Sequence, residues 1–216
     1  MQLNFHLKSY IIPAIVLCLA ACHSKDTKTA AGSDTAKRHK ITIDSAALEP
    51  KTPVRKAPIV NITDTVAIKQ LVLYTKDSAS SSERISRKLA DIYTNKLQQV
   101  IATNKLKVTG APIAWYKTQG SPFFFEAGLP IDKKPAKLPK NFFVRSIGGD
   151  SAVVAHFFGP YDITIMGYEA LNDWLTSHKK KRTAPPYEQY VGDPKDEKGK
   201  LRDPYRVQTD IIFPHN

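Results

Sequence analysis

Apolar and polar positions alternate from Ile59 to Tyr74, through Val60 and Ile62 and again through Val66 and Ile68, in a stretch rich in β-branched residues. That pattern predicts one strand, bulged near Asp64. The period then changes to that of a helix. Ile85, Leu89, Ile92, Tyr93, Leu97, Val100 and Ile101 recur at intervals of three and four and make one apolar face, and Ser80-Ser81-Ser82-Glu83 ahead of them has capping-box spacing. Gly110 closes this helical unit. Ala111 to Tyr116 and Phe123 to Pro130 read as two short strands joined by a turn at Gly120-Ser121-Pro122.

The same order then recurs. A strand from Phe142 to Phe158, a turn at Gly159-Pro160, a helix from about Ile163 to His178, and strands at Tyr187 to Val191 and Tyr205 to Phe213 repeat the first set. Local details correspond too. Ala111-Pro112 before Trp115-Tyr116 parallels Ala184-Pro185-Pro186 before Tyr187 and Tyr190, and Glu126 to Pro130 parallels Asp210 to Pro214. Two such strand-helix-strand-strand units predict an α+β fold: one antiparallel sheet, both helices on one face, and a central ligand cleft where the halves meet.

Upstream of Ile59 no apolar period is sustained. Residues 23–58 are rich in Lys, Thr, Ala, Ser and Asp, carry Pro50, Pro53 and Pro58, and are expected to form a disordered tether. Before them stand a basic residue, Lys8, an apolar stretch from Tyr10 to Leu19, and Leu19-Ala20-Ala21-Cys22, which resembles the lipobox of bacterial lipoproteins. The apolar run Tyr10 to Ala21 is 12 residues long and contains Pro13. Spanning a bilayer takes roughly 20 residues, so a cleaved signal is the better reading. The expected organisation is a signal peptide over 1–21, lipidated Cys22 and tether over 22–58, and one domain over 59–216. It implies a membrane-anchored protein of the bacterial cell envelope, facing the periplasm or the cell exterior. Cys18 would leave with the signal, which removes disulfides and cysteine-bound metal from the mature chain.

Charge changes this picture less than its size suggests. The chain has 32 Lys and Arg against 20 Asp and Glu, a net +12. Residues 23–57 hold 8 of the former and 4 of the latter, so +4 of the excess sits in the tether. Dispersed surface lysines and attraction to anionic envelope surfaces account for the rest, and no nucleic-acid partner is expected. There is no Gly-rich phosphate loop, no metal-spaced His cluster and no Gly-x-Ser-x-Gly elbow, so no metal or cofactor is expected either. His156, within an apolar stretch, reads as a strand residue rather than a haem ligand.

Gly159-Pro160-Tyr161, then Tyr168, Leu171 and Trp174 on the second helix, Pro186-Tyr187-Glu188-Gln189-Tyr190, Asp193-Pro194, and Thr209-Asp210-Ile211 with Pro214 resemble the second half of the GyrI-like domain. This is the bacterial transcription-activator effector-binding domain, related to the SOUL proteins. Gly110-Ala111-Pro112, Tyr116 and Glu126-Ala127-Gly128-Leu129-Pro130 agree with its first half. The resemblance implies a cleft for small lipophilic, often cationic, molecules, with Glu188 as the acidic residue at its floor. Tyr168, Trp174, Tyr116, Trp115 and Tyr187 would supply ring faces for such a ligand. The sequence departs from the family's regulators in showing no helix-turn-helix.

Three functions are compatible with these residues. The first is an envelope-anchored small-molecule-binding protein. The second is a hydrolase of strained-ring, cyclopropane-containing compounds, an activity ascribed to some stand-alone members, with Glu188 as general base. The third is a partner-binding envelope protein with a vestigial cleft. Residue types alone leave Tyr168 and Trp174 equally readable as helix core. For Glu188 the alternative is a strand carboxylate facing water, because its neighbours Tyr187 and Gln189 point the opposite way in an alternating strand. Glu126 reads as a strand-end hydrogen-bonding residue, matched by Asp210.

Overall fold

The structure, a computed structural model, describes residues 56–118 and 120–216. The signal, Cys22 and most of the tether expected from the sequence lie outside the described residues. Eight strands form one sheet: β1 (Ile59–Val66), β2 (Gln70–Ala79), β3 (Ile113–Tyr116), β4 (Phe123–Ile131), β5 (Phe142–Ile147), β6 (Ser151–Phe158), β7 (Tyr187–Gln189) and β8 (Gln208–Pro214). Their order is β1-β6-β8-β7-β3-β4-β2-β5, and every neighbouring pair is antiparallel. Between β2 and β3, α1 (Ser82–Asp91), a π-helical turn (Ile92–Lys96) and α2 (Leu97–Asn104) run on as one helix. A short 3-10 turn (Tyr161–Ile163) and α3 (Ile165–Ser177) join β6 to β7.

Exchanging β1 to β4 with β5 to β8 turns the sheet order into its own reverse, so the duplication is a pseudo-two-fold symmetry of the sheet. Its axis passes between β3 and β7, where Ala114 pairs with Glu188. Register fixes the equivalences. Glu126 faces Lys76 as Asp210 faces His156, and Tyr116 stands in β3 as Tyr190 stands just after β7.

Each segment expected to be one long strand is two. The Ile59 to Tyr74 segment is not bulged at Asp64 but broken at 67–69, and Phe142 to Phe158 is broken at 148–150. The break lets the first strand of each half leave for the other half: β1 pairs with β6, and β5 with β2. β1 and β2 lie six positions apart in the sheet. In a flat sheet that is about 29 Å, whereas the link from Val66 to Gln70 reaches about 14 Å. The sheet therefore curls until its ends approach. The two links close the gap, with the Ala67 amide donating to the Asp150 carbonyl at 3.0 Å and the Gly149 amide to that of Ala67 at 2.7 Å. Gly148, at φ +74°, is forced there: a Cβ would lie 2.1 Å from the Ile68 carbonyl oxygen.

Both ends of the first helix differ from the sequence pattern. Ser81, not Ser80, caps α1, accepting the Arg84 amide at 3.4 Å. The third helical position is then Arg84, so the expected capping box does not form and Glu83 pairs with Arg87 instead, at 3.0 Å. The helix ends at Asn104, where Lys105 turns left-handed at φ 50°, before Gly110 is reached.

Both helices pack on one face. Opposed residues of neighbouring strands share a face, and one row crosses the whole sheet: Ile62, Ala155, Ile211, Glu188, Ala114, Ala127, Thr75 and Phe142. At one end of it, Ala155 and Ile211 pack with Leu171 and Leu175 of α3. At the other, Ala114 and Ala127 pack with Ile85, Leu89, Ile92, Leu97 and Val100 of the first helix. α3 comes in close because Gly167 carries no side chain, and a Cβ there would lie 2.5 Å from Ile211 Cδ1. The opposite, concave face holds its own core of Val72, Ile113, Trp115, Ala152, Val154, Tyr187 and Ile212.

Candidate functional site

Glu188 sits in the middle of the helix-facing row, on the pseudo-two-fold axis and between the two helical layers. Only 4% of it is exposed. Five tyrosines, four from separate elements and one just after β7, gather around it. Tyr168 of α3 donates its hydroxyl to Oε1 at 3.0 Å, and Tyr190, following β7, donates to Oε2 at 3.0 Å. Tyr116 of β3 lies 2.8 Å, oxygen to oxygen, from its equivalent Tyr190. The ring of Tyr93 meets that of Tyr190 edge-on at 6.3 Å, and the ring of Tyr161 does so at 5.8 Å. Tyr93 belongs to the π-helical turn, and its hydroxyl is fixed by the Ile113 carbonyl at 2.9 Å.

The electrostatics follow from this packing. Burial raises the Glu188 pKa to about 7, although the hydroxyls of Tyr168 and Tyr190 favour the carboxylate and pull the other way. Among the described residues no cation forms an ion pair with it. Burial, and then the nearby Glu188, push the Tyr116 and Tyr168 hydroxyls well above their ordinary value, so both remain proton donors. A hydroxyl can donate or accept, so the chain Tyr116, Tyr190, Glu188, Tyr168 can satisfy the acid in either protonation state. With Glu188 ionised, Tyr190 donates to it and accepts from Tyr116.

The structure brings three of the six ligand-facing candidates together: Glu188, Tyr168 and Tyr116. It does not bring the others to them. Trp115 and Tyr187 each precede a site residue by one position, so strand alternation sends them to the concave face, where their rings lie 5.9 Å apart. Trp174 lies further along α3, stacked on His178 at 4.0 Å and 5.4 Å from the buried His215. Three members were missed as site residues. Tyr190 follows Glu188 by two, and alternation alone would have found it. Tyr93 lies on the periodic apolar face of the first helix, where it reads as core, and Tyr161 sits in an irregular 3-10 turn, which leaves no periodic signal.

Glu126 is also 4% exposed but lies on the concave face, in contact with Arg145, 2.8 Å from Lys117 and 3.7 Å from Lys76. Burial raises its pKa, but hydrogen bonds and charge from Lys117 and Arg145 outweigh this and hold it below the ordinary value. It is thus an ion-pair centre rather than a strand-end acceptor. His156 Nδ1 lies 2.7 Å from Asp210 Oδ1. Among the described residues no three His, Cys, Asp or Glu side chains converge as a metal site requires.

An eight-stranded antiparallel sheet with its helices on one face is the GyrI-like effector-binding fold. Among solved structures, the C-terminal domain of EcmrR is similar, with a TM-score of 0.58 and 17% identity over 74% of this chain and 99% of that one. EcmrR in its complex with DNA gives 0.59 and 18% over the same share, but this chain spans only 57% of that longer one. A hydrolase from Listeria innocua matches at 0.50, with 7% identity over 72% of this chain and 91% of the other. No family model and no curated protein matches the sequence.

Proposed function

We propose that this protein is a small-molecule-binding module that takes lipophilic cations at Glu188 and is held at the bacterial envelope by lipid on Cys22. One observation carries the reading of the site: a fully enclosed carboxylate whose partners are all hydroxyls. A buried anion without a counter-charge is costly, and a ligand cation relieves that cost while tyrosine faces solvate its apolar body. Tyr161 is 49% exposed and packs on Tyr190, so it is the side chain a ligand displaces first. The test is titration with tetraphenylphosphonium and, as a neutral control, triphenylphosphine oxide. Glu188→Gln should weaken the cation by about 1 to 3 kcal/mol and leave the neutral compound unchanged. Equal loss for both, or for neither, refutes the reading.

A pKa of about 7 also suits a general base, which supports hydrolysis of a strained ring as a second reading. In that case Glu188→Gln abolishes turnover and leaves affinity nearly intact. The anchor is tested separately: Cys22→Ala should release the protein from the membrane fraction.

A further inference from the structure

The concave face carries a second constellation that the Glu188 reading does not use. Arg145 packs against two rings, its guanidinium carbon 3.9 Å from the centroid of Tyr74 and 4.3 Å from that of Trp115. Its Nη2 contacts Glu126, while its Nε is buried with no hydrogen-bond partner among the described residues. Lys117 and Lys76 reach the same carboxylate, and the Lys76 ammonium also lies 4.9 Å above the Phe143 ring. Three permanent cations therefore converge on one anion.

The pseudo-symmetry shows that this excess is not required by the fold. Asp210 is the equivalent of Glu126. Where the first half has Lys76, Arg145 and Lys117, the second has His156, Thr65 and Val191 at the matching register positions. Asp210 is satisfied by His156 at 2.7 Å and Gln208 at 2.8 Å. Asp210, whose side chain is 16% exposed, is thus held without any permanent cation, and a single cation would neutralise Glu126, so two of the three charges around Glu126 are surplus. Surplus positive charge together with an unfilled buried donor is the condition of a site awaiting an anion. Its flanks are apolar: Phe143 is 37% and Phe124 is 48% exposed, on the same sheet face as the two lysines.

We infer that the mouth of the curled sheet around Arg145, Lys76 and Lys117 binds a small organic anion with a flat apolar body, of which an aromatic carboxylate is the simplest member. The carboxylate meets the lysine ammoniums and the edge of the guanidinium, and the ring lies along Phe143 and Phe124. The inference is independent of the reading of Glu188, which lies on the other face.

Calorimetric titration of the full chain with benzoate tests it, with benzyl alcohol and inorganic phosphate as controls. Benzoate should bind saturably, and benzyl alcohol should not. The double variant Lys76→Gln, Lys117→Gln removes two half-exposed charges without opening the core, and should weaken benzoate at least tenfold. Glu188→Gln should leave it within twofold. Since Trp115 is one of two tryptophans, benzoate should also shift its emission in a Trp174→Phe background. No saturable binding, an unaffected double variant, or equal loss in Glu188→Gln would overturn the site. Phosphate binding as tightly as benzoate would overturn the flat apolar body.

Discussion

Glu188 and Glu126 are buried to the same degree, 4% exposed each, and the sheet gives them opposite chemistry. Glu188, on the helix-facing side, meets only tyrosine hydroxyls and is pushed up to a pKa of about 7. Glu126, on the concave side, meets three cations and is held below its ordinary value. Desolvation heads the causes for both, so burial does not separate them; the permanent charges within reach do. The repeat sharpens the contrast. Glu188 has Ala114 as its equivalent, so the duplicated fold carries one acid on its axis rather than two.

Removing the carboxylate should therefore have unequal consequences. Glu126→Gln leaves Arg145 uncompensated beside two lysines, and should lower the unfolding free energy at pH 7 by about 3 kcal/mol. Both lysines are about half exposed, which keeps the loss at the lower end for a broken buried pair. Glu188→Gln replaces a buried group whose ionisation opposes folding at that pH by a neutral isostere, and should leave the protein at least as stable as the parent. Urea unfolding of the two variants decides this. Equal losses would erase the comparison.

The two acids should also bend stability in opposite directions with pH. Glu188 has a folded pKa of about 7 against an ordinary value of 4.5. Between those values the folded state holds a proton that the unfolded state has released, so stability falls as pH rises, by about 3 kcal/mol in all. The depressed pKa of Glu126 gives the reverse: its contribution is present above the ordinary carboxylate range and is lost as pH falls through the folded value. Subtracting the Glu188→Gln curve from that of the parent protein isolates the first effect. A flat difference between pH 4.5 and 7 would contradict it. Cation affinity should follow the ionised fraction, level above about pH 7 and falling up to tenfold per unit below it.

The repeat and the position of Glu188 were legible in the sequence, and what was not has identifiable causes. The repeat showed because Glu126 to Pro130 and Asp210 to Pro214 close both halves in the same way. The exchange of β1 and β5 did not show, since Val66 and Ile68 keep strict alternation across the break and nothing local says which strand an edge will join. Glu188 was marked by the family resemblance. Trp115 and Tyr187 stand one position before Tyr116 and Glu188, and strand parity puts them on the opposite face of the sheet. The role of Glu126 as an ion-pair centre depends on Arg145, far away in sequence, and on the pairing of β5 with β2.

Smaller changes probe the hydroxyls. Tyr168→Phe removes one donor to Glu188, and Tyr190→Phe removes the other together with the partner of Tyr116. Each loses a hydrogen bond to the ionised acid, about 1 kcal/mol, which should raise the pH midpoint for cation binding by up to about one unit. Tyr190→Phe should show the larger shift. Identical midpoints in both variants and the parent would mean that the hydroxyls do not hold the carboxylate.

The smallest expected effect is at Trp174, which its aromatic bulk and its place on α3 had made a ligand candidate. The helix rises about 9 Å between Tyr168 and Trp174, so a ring face able to cover Glu188 from the first position cannot do so from the second. Trp174 instead covers His178 and the buried His215, whose Nε2 lies 2.9 Å from Asp64. Trp174→Phe keeps a ring against both histidines. It should change the cation dissociation constant by less than about 0.5 kcal/mol, as expected of a site outside the contact set. In the same titration Tyr168→Phe should move the affinity through Glu188. If Trp174→Phe weakened the cation as much as Tyr168→Phe does, the ligand would extend along α3 towards the histidines, and the five-tyrosine boundary drawn around Glu188 would be too small.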